Sequence, residues 1–97
     1  PSRLIAYDLD SARRPQNGRV ISEYSDGIYD GFRIDASGHI WTSAGDGVHC
    51  LDPKGKLIGK ILIPETVSNL CFGGPSRNRL YITATRSLYA VYINTVG

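Results

Sequence analysis

Hydrophobic and polar residues alternate over short stretches of this chain, and glycine, proline or aspartate breaks each stretch. Leu4 to Leu9 and Arg19 to Tyr24 carry the alternation in part. The charged side chains of the second suit an outer or edge strand, where they discourage stray pairing. Phe32-Arg33-Ile34, His39 to Ser43, Val48 to Leu51 and Leu57 to Ile63 follow, then Leu70-Cys71-Phe72, Arg79 to Thr83 and Leu88 to Ile93. Turn sequences separate them: Asn17-Gly18, Asp35-Ala36-Ser37-Gly38, Ala44 to Gly47, and Asp52-Pro53-Lys54-Gly55. In these turns glycine and asparagine accept positive φ, and proline presets φ. Ser25 to Tyr29 and Glu65 to Asn69 read as loops. No window of about 11 residues keeps a helical period without an interrupting glycine or proline, so the chain is expected to be all-β.

The pattern recurs. Ile40-Trp41 answers to Leu80-Tyr81, and Val48 to Leu88, at a spacing of about 40 residues. Asp30-Gly31 falls opposite Ser68-Asn69 after a slip of about two residues. A four-strand unit at this period is a propeller blade. The expected architecture is a partial β-propeller of about two four-stranded antiparallel blades. The outer strands of one blade would lie in 1–24, a complete blade in 29–64 and most of the next in 67–97. Propellers close with about 4–8 blades. Two blades leave both end faces uncovered, so the remaining blades or other copies of the chain are the expected partners.

Composition narrows the function. The chain has 97 residues, enough for one small domain, with 41% hydrophobic residues and a net charge of +2. Its basic residues are scattered through turns, which argues against nucleic acid as a partner. Its apolar runs are too short for a spanning helix, and no membrane partner is expected. Cys50 and Cys71 lack zinc-knuckle or CxxC spacing, so both are expected as buried free thiols, with a disulfide between neighbouring strands as the alternative. That leans towards a reducing, cytoplasmic compartment. His49 and Cys50 are strand neighbours on opposite faces and could not share an ion. His39 is expected at the surface, Trp41 and Tyr81 between blades, and Asp35, Asp46 and Asp52 as turn carboxylates.

The candidate chemistry rests on Tyr29-Asp30-Gly31-Phe32-Arg33-Ile34-Asp35, where a carboxylate stands just ahead of a strand. Asn69 and Ser68 hold the corresponding position in the next repeat. Each could touch a substrate or simply bond its own backbone in a turn.

That stretch, with Gly38-His39-Ile40-Trp41, Asp52-Pro53-Lys54-Gly55-Lys56-Leu57 and Ser68-Asn69-Leu70-Cys71-Phe72-Gly73-Gly74, resembles the SMP-30/gluconolactonase/luciferin-regenerating-enzyme-like family over nearly the whole chain. The resemblance implies a six-bladed propeller that hydrolyses a sugar lactone or related ester. It also implies a divalent cation, commonly calcium, at the mouth of the central channel. In that family a glutamate, two asparagines and the aspartate of a Pro-Asp-Gly motif hold the metal. Asp30 matches that aspartate as metal ligand and catalytic residue, with Tyr29 in place of the proline. The other ligands would lie upstream of Pro1, so the chain looks like the C-terminal third of such an enzyme. The alternative expectation is a non-catalytic propeller fragment that acts as a binding or self-assembling β-module.

Overall fold

A computed structural model describes residues 2–25 and 27–97. Pro1 and Asp26, the latter in the loop expected over Ser25 to Tyr29, lie outside the described residues. The described chain is all-β. Strands β1 (Ser2–Leu9) and β2 (Pro15–Tyr24) form the first sheet. The second holds β3 (Phe32–Ile34), β4 (Ile40–Ala44), β5 (Gly47–Leu51) and β6 (Leu57–Leu62). The third holds β7 (Val67–Gly73), β8 (Arg79–Ala84) and β9 (Leu88–Tyr92). Every pairing is antiparallel between sequence neighbours.

Alternation decides which residues become core. Val48, Ile63, Val67, Leu70, Leu80 and Ile82 meet between the second and third sheets, where Trp41 packs edge-on against Phe72. Leu4 of the first sheet joins Ile40 and Leu51 of the second in a smaller cluster. The sheets therefore stack face to face like the blades of a partial β-propeller. The registers Phe32↔Thr42 and Leu70↔Ile82 put Gly31 and Asn69 at equivalent places in successive sheets, with the slip expected from the repeat.

Three hairpins at one end share a construction headed by an aspartate. Asp10, Asp35 and Asp52 each accept the amides two and four residues on, at 2.8–2.9 Å. The residue three on adopts positive φ in each: Arg13 at 61°, Gly38 at 86° and Gly55 at 91°. Asn17-Gly18 is therefore not the first hairpin's turn, as its dipeptide suggested. Asp10 outcompetes it, and Asn17 (φ 54°) sits at an irregularity inside β2, where Tyr7 lies over Gly18. Gly55 has a second constraint, because an added Cβ would stand 1.6 Å from the Ile21 carbonyl oxygen of the neighbouring sheet. Gly55→Ala is expected to cost about 2–3 kcal/mol in urea denaturation. At Gly38 the nearest atom to such a Cβ is 3.4 Å away, so Gly38→Ala is expected to cost only the backbone strain, about 1 kcal/mol.

The chain end fastens this same end of the molecule. Ala36 N donates to Val96 O at 2.7 Å, Gly97 N to Arg77 O at 3.0 Å and Ile93 N to Asn78 O at 2.9 Å. Three expectations change. Val67 to Asn69 belong to β7 rather than a loop, because Val67 is buried in the core. Cys71 is exposed, and Tyr81 shares its face of the third sheet, the face equivalent to the one on which Trp41 of the second sheet meets the third. His39 is half-buried against Asp35, with its Nδ1 3.3 Å from Oδ2.

Candidate functional site

The antiparallel order brings the ends of β2, β4 and β8 and the starts of β3, β5 and β7 to the end opposite the aspartate turns. Asp30 lies there, exposed, just before β3. Its main chain is anchored. The Asp30 and Gly31 amides both donate to Ser43 Oγ, at 2.8 and 3.0 Å, and Ser43 N donates to Gly31 O at 2.8 Å. Its carboxylate, by contrast, makes no hydrogen bond or ion pair among the described residues.

Asn69 stands directly beside this segment. A Cβ at Gly31 would fall 2.2 Å from Asn69 Oδ1, so the close approach requires glycine. The structure thus brings Asp30-Gly31 and Asn69 together at the adjoining edges of two sheets. Asn69 Oδ1 accepts the amide of Leu70 at 2.8 Å, the backbone engagement weighed for it as a turn residue, here within a strand. Ser68 is exposed, and its hydroxyl lies 3.1 Å from Thr83 Oγ1 and donates to Thr83 O at 3.3 Å. Arg33 and Asn69 also line a shallow depression of about 310 Å³ on the outward face, with Cys71, Tyr81, Thr83 and Leu88.

A second cluster at this end was not visible in the linear pattern. His49, which is buried, lies with Nε2 2.6 Å from Asp46 Oδ1, and Lys60 Nζ donates to Asp46 Oδ2 at 3.1 Å. Tyr24 meets the His49 ring edge-on at 5.3 Å, and its hydroxyl accepts the Gly45 amide at 2.9 Å. Burial acts to raise the Asp46 pKa, but the bonds from His49 and Lys60 outweigh it and hold the carboxyl below its ordinary value. Asp46 is therefore more than a turn residue: it ties the β4–β5 turn to β5 and β6. The cluster depends on register, which pairs His49 with Lys60.

Cys50 faces the other way, and burial followed by the Asp35 charge pushes its thiol up to about 11, leaving it unreactive near neutrality. Among the described residues no group of three or more His, Cys, Asp or Glu side chains could hold a metal.

Fold and site together define a class: a partial β-propeller that presents one unencumbered carboxylate where two adjacent sheets meet. Residues 1–86 match the family model described as the SMP-30/Gluconolactonase/LRE-like region, and the chain belongs to that family. It is 34% identical over 82 residues to the pentonolactonase XacC of Haloferax volcanii, covering 80% of this chain and 28% of that protein. A solved structure described as a putative gluconolactonase superposes with a TM-score of 0.92 at 41% identity, covering 98% of this chain and 33% of that one. A calcium-binding protein, regucalcin, from Agrobacterium tumefaciens superposes with a TM-score of 0.77 at 32% identity, covering 88% of this chain and 31% of that one. The chain thus spans about a third or less of each of these three proteins.

Proposed function

We propose that this chain forms part of a six-bladed propeller that hydrolyses a sugar lactone or related ester. Residues 1–24 would supply the outer strands of one blade, 29–64 a complete blade and 67–97 most of the next. Asp30 would be one ligand of a divalent cation, calcium, at the mouth of the channel. The observation that carries this reading is the Asp30 carboxylate, exposed and without a partner among the described residues, on a backbone fixed at both of its amides. Family membership, the lactonase names of its relatives and the calcium-binding description of one neighbour support it.

The donors fit the cation in kind. Calcium takes about 6–8 oxygen ligands, and Asp30 offers one carboxylate. They do not fit it in number, so the other ligands would come from the remaining blades. What a cation supplies at such a site is polarisation of the lactone carbonyl towards attack by water. Asp30 would hold its charge towards the ion and orient the attacking water. A carboxylate held in its charged form is a weak base, so ligation and orientation are the larger part of its role. Asn69 and Ser68, on the same rim, would contact the substrate. The test is hydrolysis of a sugar lactone by the complete polypeptide. Activity is expected to vanish with chelator and return with calcium; activity indifferent to chelator would contradict the cation's role.

One observation favours a self-assembling module as a second reading. The unpaired edge and outward face of the third sheet expose Leu88 (67%) and Tyr92 (69%). Such an edge promotes association. Sedimentation of the 97-residue chain is expected to show oligomers growing with concentration; a monomer at high micromolar concentration would count against it.

A further inference from the structure

Ser43 and Thr83 occupy the same place in successive sheets. Each is one residue beyond an equivalent register pair, Phe32↔Thr42 and Leu70↔Ile82. Each turns its hydroxyl towards the residues at the start of the first strand of its sheet, β3 or β7. In the third sheet Thr83 Oγ1 donates to Asn69 O at 3.2 Å and meets Ser68 Oγ at 3.1 Å. In the second sheet the contact is reversed. Ser43, fully buried, accepts the amides of both Asp30 and Gly31. Two consecutive amides converging on one oxygen curl the chain at this point, as in the small backbone nests that fix local direction. With no side-chain bond to Asp30 among the described residues, this curl and the Gly31–Asn69 contact fix where the carboxylate stands.

We propose that Ser43 is the positioning residue of the Asp30 site: its buried hydroxyl, by holding the amides of Asp30 and Gly31, sets the direction in which the carboxylate meets a cation. This rests on Asp30 being a cation ligand. Outer partners of metal ligands commonly change affinity by about 10–100-fold. Ser43 meets its ligand through the main chain, so its loss would leave the carboxylate in place but misdirected.

Two measurements test it. In the complete polypeptide, Ser43→Ala is expected to weaken calcium binding about 10–100-fold, and Ser43→Thr, the residue the equivalent position already holds, to restore it. In the 97-residue chain without metal, Ser43→Ala is expected to speed hydrogen exchange at the Asp30 and Gly31 amides while Leu80 and Ile82 stay protected, which shows that the fold is intact. Wild-type calcium affinity in Ser43→Ala, or an affinity in Ser43→Thr as weak as in Ser43→Ala, overturns the proposal. Asp30→Asn in the same titration separates the two failures. If it loses binding while Ser43→Ala does not, only the positioning role falls. If Asp30→Asn binds like the wild type, the ligand reading fails and the positioning role falls with it.

Discussion

Asp35→Ala is expected to remove about 3–5 kcal/mol of stability, read as a large fall in the urea midpoint. The total for a chain of this size is about 5–15 kcal/mol, so the variant should be marginal at room temperature. The Asp35 side chain is fully buried. Its Oδ1 accepts the amides of Ser37 and His39, each at 2.9 Å, and its Oδ2 accepts Trp41 Nε1 at 3.0 Å. Alanine would strand these donors, and each unsatisfied buried group costs about 1–3 kcal/mol. Asp35→Asn keeps an acceptor for the two amides but turns an amide group towards the indole N–H, so its loss should be smaller.

The pH dependence follows from the same contacts. Burial acts to raise the Asp35 pKa, but the bonds from Trp41, His39, Ser37 and Thr95 outweigh it and hold the carboxyl below its ordinary 3.8. A depressed carboxylate stabilises fully above its unfolded value and loses that contribution as pH falls through the folded one. The stability gap between wild type and Asp35→Asn is therefore expected to be constant near neutrality and to narrow below pH 3.8. A gap unchanged to lower pH would mean that the bonds do not favour the charged form.

The second large effect concerns activity. On the proposed reading, Asp30→Asn in the complete polypeptide is expected to lower lactone hydrolysis by about 100-fold or more, because a neutral ligand holds less tightly the cation that stabilises the negative charge of the transition state. The fold should not notice. Asp30 is exposed, and its anchoring bonds run through its amide and that of Gly31, which asparagine retains. Unchanged urea midpoints beside lost activity would assign the effect to the carboxylate. Equal activity in the variant would remove Asp30 from the mechanism.

Much of this was legible in the linear pattern because strand alternation, turn chemistry and the repeat period are local signals. The strands, the slip that sets Asp30-Gly31 opposite Ser68-Asn69, and the carboxylate ahead of β3 all follow from neighbours in sequence. Contacts between strands and sheets were the harder part. Asn17-Gly18 has the chemistry of a turn, but Asp10 closes the hairpin with three bonds from Ala12 and Arg14. The partnership of Asp46 with His49 and Lys60 depends on register, and a serine inside a strand, such as Ser43, carries no signal of what its hydroxyl will hold. Cys71 and Tyr81 show the same limit. Alternation puts them on one face without saying whether another sheet covers it, and among the described residues Cys71 is exposed.

The most direct test of Asp30 as a cation ligand is a crystal structure of the complete polypeptide soaked with calcium. An Asp30 carboxylate oxygen is expected about 2.3–2.6 Å from the ion, with the Asp30 and Gly31 amides still on Ser43 Oγ. A cation bound at the channel mouth with Asp30 turned away from it would contradict the assignment.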